Sequence, residues 1–179
     1  MKVLRKWWVI PLFIGCFFLG QYFYKLPKFD DGERSPNFEW TNEAGEQYDL
    51  EKLEGKYVLI DFWGSWCGPC WKEFPGLINL YDKFQNTKFK NADGFEIVGV
   101  AIEKEKDREK WKRVIEKKGL NWKHQVFDVN TNFRFFNSKI ANLYGIKEVP
   151  TKYLLDENGV IALVNPSVEE VDAFLTNQK

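Results

Sequence analysis

Cys67 and Cys70, separated only by Gly68 and Pro69, sit where the hydrophobic pattern of the chain changes period. Upstream, Tyr57-Val58-Leu59-Ile60-Asp61-Phe62-Trp63 is apolar almost without alternation, as expected of a central strand covered on both faces. Downstream, Phe74, Leu77, Ile78, Tyr81 and Phe84 recur at helical spacing. The pair therefore reads as strand, short loop, helix N-terminus. The first turn of a helix leaves backbone N–H groups unpaired and carries roughly half a positive charge, so a cysteine there is favoured as thiolate. Cys67 is the predicted nucleophile. Cys70, one helical turn on, can reach the first sulfur and is the predicted resolving thiol. Pro69 sacrifices no hydrogen bond in a first turn and presets φ, and Gly68 removes bulk beside the sulfur.

Two cysteines at this spacing could also be half of a zinc site or a structural disulfide. A structural zinc needs four ligands, and the chain offers only Cys16 and His124 besides. Cys16 lies in a membrane-like segment. No metal is therefore expected, and the strand-to-helix context is what redox chemistry requires.

The run Val58-Leu59-Ile60-Asp61-Phe62-Trp63-Gly64-Ser65-Trp66-Cys67-Gly68-Pro69-Cys70 resembles the active-site strand and loop of thioredoxins. The later Gly145-Ile146-Lys147-Glu148-Val149-Pro150-Thr151 resembles their cis-proline loop. Pro36-Asn37-Phe38 and Trp71-Lys72-Glu73-Phe74-Pro75 bring the resemblance closer to the membrane-anchored, extracytoplasmic TlpA/ResA-like branch, over about residues 35 to 179.

Residues 1–28 hold Lys2, Arg5, Lys6, Lys25 and Lys28 and no acid. Beyond them stand 21 basic and 26 acidic residues, an acidic remainder with no electrostatic footprint for nucleic acid. Trp7 to Tyr24 is an uncharged run of 18, which as a helix spans about 27 Å, just enough for a bilayer core. The basic flank would stay in the cytoplasm and place the domain outside, in the periplasm or another extracytoplasmic space. A lipoprotein signal ending at Cys16 and a cleaved signal peptide are the competing readings, and both leave the domain in the same compartment. The division is thus 1–28 anchor or signal segment, 29–35 tether, and 36–179 one domain. The whole chain's 44% hydrophobic and 17% aromatic content suits a packed globule.

Phe38 and Trp40 alternate, Ala44-Gly45 marks a turn, and a short helix is expected over Asp49 to Leu53. The active-site helix should run to about Gln85 with Pro75 inside it. Phe95 to Ile102 reads as a second buried strand and Lys104 to Lys118 as a helix stopped by Gly119. Leu120 to Phe136 resists assignment. A short helix over Ser138 to Tyr144, strands Thr151 to Leu155 and Val160 to Val164, and a last helix with a Ser167/Glu170 capping box complete the chain. The order of elements gives an α/β sandwich with a mixed central sheet. The resemblance implies a thioredoxin-like three-layer α/β/α sandwich with an N-terminal β-hairpin extension.

Asp61 is a carboxylate in an otherwise apolar strand. Buried and unpaired, it should hold its proton to a raised pKa, which suits a group that accepts a proton from Cys70; a structural pairing at the strand end is the alternative. It also aligns with the buried aspartate of thioredoxins. The resemblance further implies a cis bond before Pro150 and a Val149 backbone that pairs with an extended substrate, where an ordinary trans turn proline is the plain reading. Glu73, one turn beyond Cys70, and Glu103, at a strand end, could tune the thiols, though solvated charge describes both more simply. Trp63, Trp66 and Trp71 could frame an apolar substrate surface. His124 has no evident partner.

These residues point to a thiol-disulfide oxidoreductase that needs no cofactor beyond the Cys67/Cys70 pair. Cys67 attacks a substrate disulfide and Cys70 resolves the mixed disulfide. A Gly-Pro pair with no cation beside it favours a low potential, near the about −270 mV of thioredoxin, and hence a reductase of protein disulfides. The resemblance implies a membrane thiol as electron donor and substrates such as apocytochrome c. The alternatives are a thioredoxin-fold copper-binding chaperone, whose cysteines are spaced by three residues, and a thiol peroxidase, whose Thr-x-x-Cys signature is absent at Cys67.

Overall fold

The computed structural model describes residues 9–42, 45–131 and 136–179. The basic flank Lys2, Arg5 and Lys6, the first apolar residue Trp7, and Ala44 of the expected turn lie outside them.

Strand β3 (Tyr57–Trp63) is buried along its whole length because both of its faces are covered. Tyr57, Leu59 and Trp63 face one core with Phe74, Leu77, Phe84, Trp111, Val171 and Leu175. Val58, Ile60 and Phe62 face the other with Phe38, Trp40, Ile140 and Tyr144. Two cores explain why the strand has no polar alternation, and each fully buried Leu, Ile or Phe contributes roughly 1.5–3 kcal/mol. Around it the sheet runs β5-β4-β3-β6-β7. Strands β4 (Phe95–Glu103) and β5 (His124–Val129) are parallel to β3, β6 (Thr151–Leu155) is antiparallel to it, and β7 (Ile161–Val164), antiparallel to β6, again runs in the direction of β3. Helices α2 (Gly68–Phe84), α3 (Arg108–Lys118) and α5 (Val168–Asn177) cover the first core. The hairpin β1 (Glu39–Thr41) and β2 (Gln47–Asp49), a 3₁₀ turn at Leu50–Leu53, and α4 (Lys139–Tyr144) cover the second. This is the thioredoxin-like sandwich with its hairpin extension.

Local chemistry sets the element ends. Gly119 stops α3 at φ +70°, a conformation costly for any residue with a Cβ. Ser167 and Glu170 exchange both bonds of a capping box at α5. Pro75 lies inside α2 without ending it.

Within the stretch that resisted assignment, β5 has His124, Val126 and Asp128 pointing inward. Its buried side is polar at two of three positions, so no hydrophobic signal marks it. The His124 ring packs edge-on against Trp40 and Tyr48, and burial lowers its basicity. Asp128 accepts hydrogen bonds from Ser138 Oγ at 2.5 Å and the Ala141 N–H at 2.9 Å, capping α4 from a neighbouring strand.

Residues 29–35 are not a free tether. The Gly32 N–H donates to Ile161 O, the Ile161 N–H to Glu33 O, and the Ser35 N–H to Gly159 O, at 2.8, 2.8 and 3.0 Å. Phe29 packs on Tyr144, whose hydroxyl lies 2.6 Å from Ser35 Oγ. The segment pairs with Ile161, the first residue of the edge strand β7. Before it, helix α1 (Val9–Lys25) exposes its apolar side chains from Ile10 to Tyr24. Among the described residues no helix is long and apolar enough to cross a membrane.

Candidate active site

The end of β3, the start of α2 and the start of β6 meet at the cysteines. After Trp63 the chain turns through Gly64, where a Cβ would come within 2.6 Å of the Trp66 indole, so only glycine admits this loop without a shift of the ring. The Trp66 indole N–H donates to Ile102 O at 3.0 Å, while its ring remains 41% exposed. Cys67 then forms the N-cap of α2, its Sγ accepting the Cys70 N–H at 3.2 Å. Cys67 and Cys70 are joined as a disulfide, with Cα atoms 5.4 Å apart. Both are buried, whereas Gly68 and Pro69 between them are exposed.

The loop before β6 supplies the opposite wall. The Val149-Pro150 peptide bond is cis, and Val149 O lies 3.8 Å from Cys67 Sγ. The sulfur carries no proton in the disulfide, so this is a contact and not a hydrogen bond.

Beneath the cysteines, Asp61 is 1% exposed and its Oδ1 has no hydrogen-bond partner. Burial pushes its carboxyl up to about 6; the Lys152 ammonium opposes the rise and the Glu73 carboxylate adds to it. Lys152 stands directly opposite Asp61 in the antiparallel β3–β6 register. It is buried and forms an ion pair with the half-buried Glu73 of α2. Glu73, expected as solvated charge or a tuning group, is thus tied into the site by a buried lysine of β6. A signal was present, since a lysine in a central strand is as anomalous as an aspartate.

Glu103 departs from the solvated reading as well. It is 2% exposed and accepts the Ser65 N–H, fixing the loop that carries Trp66 and Cys67. Burial pushes its carboxyl up, against the hydrogen bonds from Ser65. Of the three tryptophans, only Trp66 is exposed; Trp63 is fully buried and Trp71 partly so. His124 is remote in another sense: it packs against the hairpin, in the core on the other side of the sheet from Cys70 and Phe74.

Comparison with known proteins agrees with this geometry. The AhpC/TSA family model matches residues 32–164. The thiol-disulfide oxidoreductase ResA of Bacillus thuringiensis is 30% identical over 165 residues, which span 90% of this chain and 86% of the relative. Among solved structures, a thiol-disulfide oxidoreductase from Bacteroides fragilis is 31% identical, with a TM-score of 0.65 over 81% of this chain and 98% of its own. The thioredoxin domain of a Bacteroides vulgatus thiol-disulfide oxidoreductase is 27% identical, with a TM-score of 0.67 over 83% and 99%. Fold, cysteine placement and kinship converge, and the chain belongs to the AhpC/TSA family as a thioredoxin-like, ResA-related thiol-disulfide oxidoreductase.

Proposed function

We propose that this oxidoreductase works outside the cytoplasm as a reductase of protein disulfides. The observation that carries the reading is the environment of Cys67: a helix N-cap sulfur that receives the Cys70 N–H and faces the Val149 carbonyl across an open loop. In the dithiol form, the Cys67 thiolate attacks one sulfur of a substrate disulfide. A Cys67–substrate bond forms as the substrate S–S bond breaks, and the electron pair leaves on the second substrate sulfur. Cys70 then gives its proton to Asp61 and attacks Cys67 Sγ, forming the Cys67–Cys70 disulfide and releasing the reduced substrate. Two electrons pass from the dithiol to the substrate. Trp66, Gly68, Pro69, Val149 and Pro150 frame the substrate chain, and the Val149 backbone offers it strand-like pairing.

Return to the dithiol needs a thiol donor, which we assign to a membrane protein, with an apocytochrome c as one substrate; both follow from the family resemblance. Residues 1–28 serve as the anchor, or as a lipoprotein signal modified at Cys16. A copper chaperone built on two cysteines and a histidine gains no support, because His124 and the cysteines lie in cores on opposite sides of the sheet.

The experiment is equilibration of the Cys67/Cys70 couple against glutathione and dithiothreitol buffers. A potential near that of thioredoxin, about −270 mV, supports the reductase; one near about −120 mV, the range of a strong oxidant, would reverse the assigned direction.

A further inference from the structure

Lys152 is the one fully buried lysine among the described residues, and nothing in the proposed exchange has yet used it. Taking an ammonium out of water costs several kcal/mol, so its surroundings should show what offsets the cost. In an antiparallel pair, directly opposed residues project from the same face of the sheet. Lys152 and Asp61 are such a pair, on the face covered by α2, where Leu59, Trp63 and Leu154 pack with Cys70 and Phe74. The ammonium reaches from this face to the Glu73 carboxylate, one turn beyond Cys70. Asp61, Lys152 and Glu73 thus connect the buried strand to the half-buried surface of α2, on the face of the sheet that also holds the resolving thiol.

Among the described residues, the other groups that face Asp61 carry no charge. Its partner on β4 is Gly99, which has no side chain and is surrounded by the indole nitrogens of Trp63 and Trp122 and the amide of Gln125. Helix α2 contributes Cys67, Cys70 and Glu73. Lys152 and Glu73 are accordingly the two charges that act on the Asp61 carboxyl.

We propose that Lys152 is a positioning residue for the exchange reaction: held in place by Glu73, its ammonium keeps Asp61 ionised near neutral pH and so able to take the Cys70 proton. The inference rests on the role given to Asp61 above. The sign is fixed by electrostatics. Burial and the Glu73 charge both push Asp61 toward its protonated form, and the ammonium alone opposes them. Without it, a larger share of Asp61 meets Cys70 already carrying a proton.

The test is the pH dependence of resolution in single turnovers, with pre-reduced protein and a fluorescent glutathione disulfide as the probe, over about pH 5 to 9. Wild-type protein should lose rate on the acid side as Asp61 takes up its proton. Lys152→Met should move that limb up by about one pH unit, lowering the rate about twofold at pH 7 and about tenfold at about pH 5. Asp61→Asn, measured alongside, should abolish the limb. If Asp61→Asn leaves the profile as in wild type, the proton-acceptor reading fails and this inference with it. If Asp61→Asn removes the limb but Lys152→Met leaves it in place, only the role of Lys152 is overturned. Should Lys152→Met not fold, the wild-type protein still decides by NMR: the Lys152 Cε resonance must move as the Asp61 carboxyl titrates, and a resonance blind to that titration overturns the coupling.

Discussion

The Cys70 N–H points at Cys67 Sγ from 3.2 Å, and the reverse relation does not hold. Cys67 is the cap of α2 and Cys70 lies within its first turn, so the free N–H groups of the helix start serve the first sulfur alone. Once the disulfide opens, that N–H becomes a donor to a Cys67 thiolate. The two cysteines are therefore chemically unequal before any substrate arrives.

This asymmetry predicts the outcome of single replacements. Cys70→Ser should accumulate substrates covalently on Cys67, because the mixed disulfide has lost its resolving thiol. Cys67→Ser should capture at least about tenfold less. Acid quenching, alkylation of free thiols and non-reducing gels compare the two. Equal capture by both variants contradicts the assignment of nucleophile and resolving thiol.

The N-terminal boundary can be tested by truncation. Deleting residues 1–24 removes the exposed apolar helix up to Tyr24 and should leave a soluble, active domain. Deleting 1–35 also removes three backbone hydrogen bonds to the Gly159–Ile161 segment and the Ser35–Tyr144 contact. At about 1 kcal/mol for each bond, the longer deletion should cost on the order of 3–4 kcal/mol in urea unfolding. Equal midpoints for the two would mean that the segment is a tether after all.

Glu103→Leu should loosen the active-site loop from below. It leaves the buried Ser65 N–H without an acceptor, at a cost of about 1–3 kcal/mol. Trp66 and Cys67 follow directly on that residue, so amide exchange at Ser65 and Trp66 should quicken while distant strands keep their protection. Unchanged protection would remove Glu103 from the support of the loop.

How much of this could be read in advance depended on whether a residue announces its surroundings. The apolar run of β3 and the helical spacing from Phe74 to Phe84 did so, since central strands and amphipathic helices have distinct periods. Asp61 stood out as a charge in that run. Strand β5 did not, because its inward residues His124 and Asp128 are polar and their burial is justified only by Trp40, Tyr48 and the start of α4, elements distant in sequence. Lys152 and Glu73 lie 79 positions apart, and their meeting under Cys70 follows from the β3–β6 register, which no local pattern encodes. Residues 29–35 read as linker by composition, yet the exposed edge of β7 gives their backbone a partner.

Asp61 should trade stability for activity. An aspartate in an unfolded chain titrates near about 3.9, while burial raises Asp61 in the folded protein to about 6. Between those values the folded state binds more proton than the unfolded state, so stability falls as pH rises through this window and is level above it. A shift of about two units corresponds to roughly 3 kcal/mol, a cost that the ionised folded protein carries throughout the neutral range. Asp61→Asn keeps the shape and cannot ionise. It should therefore be more stable than wild type at neutral pH by up to about 3 kcal/mol, and close to wild type at about pH 4, where the native carboxyl is protonated in the fold. At the same time it should resolve mixed disulfides at least about tenfold more slowly near pH 7, having lost the acceptor for the Cys70 proton. Urea titrations of the oxidised proteins at the two pH values, set beside single-turnover rates, measure both halves. A variant that is less stable at neutral pH, or more stable by the same margin at both, would show that the buried carboxylate is not the strained group described here; a stabilised variant with full activity would leave the strain in place and remove its chemical purpose.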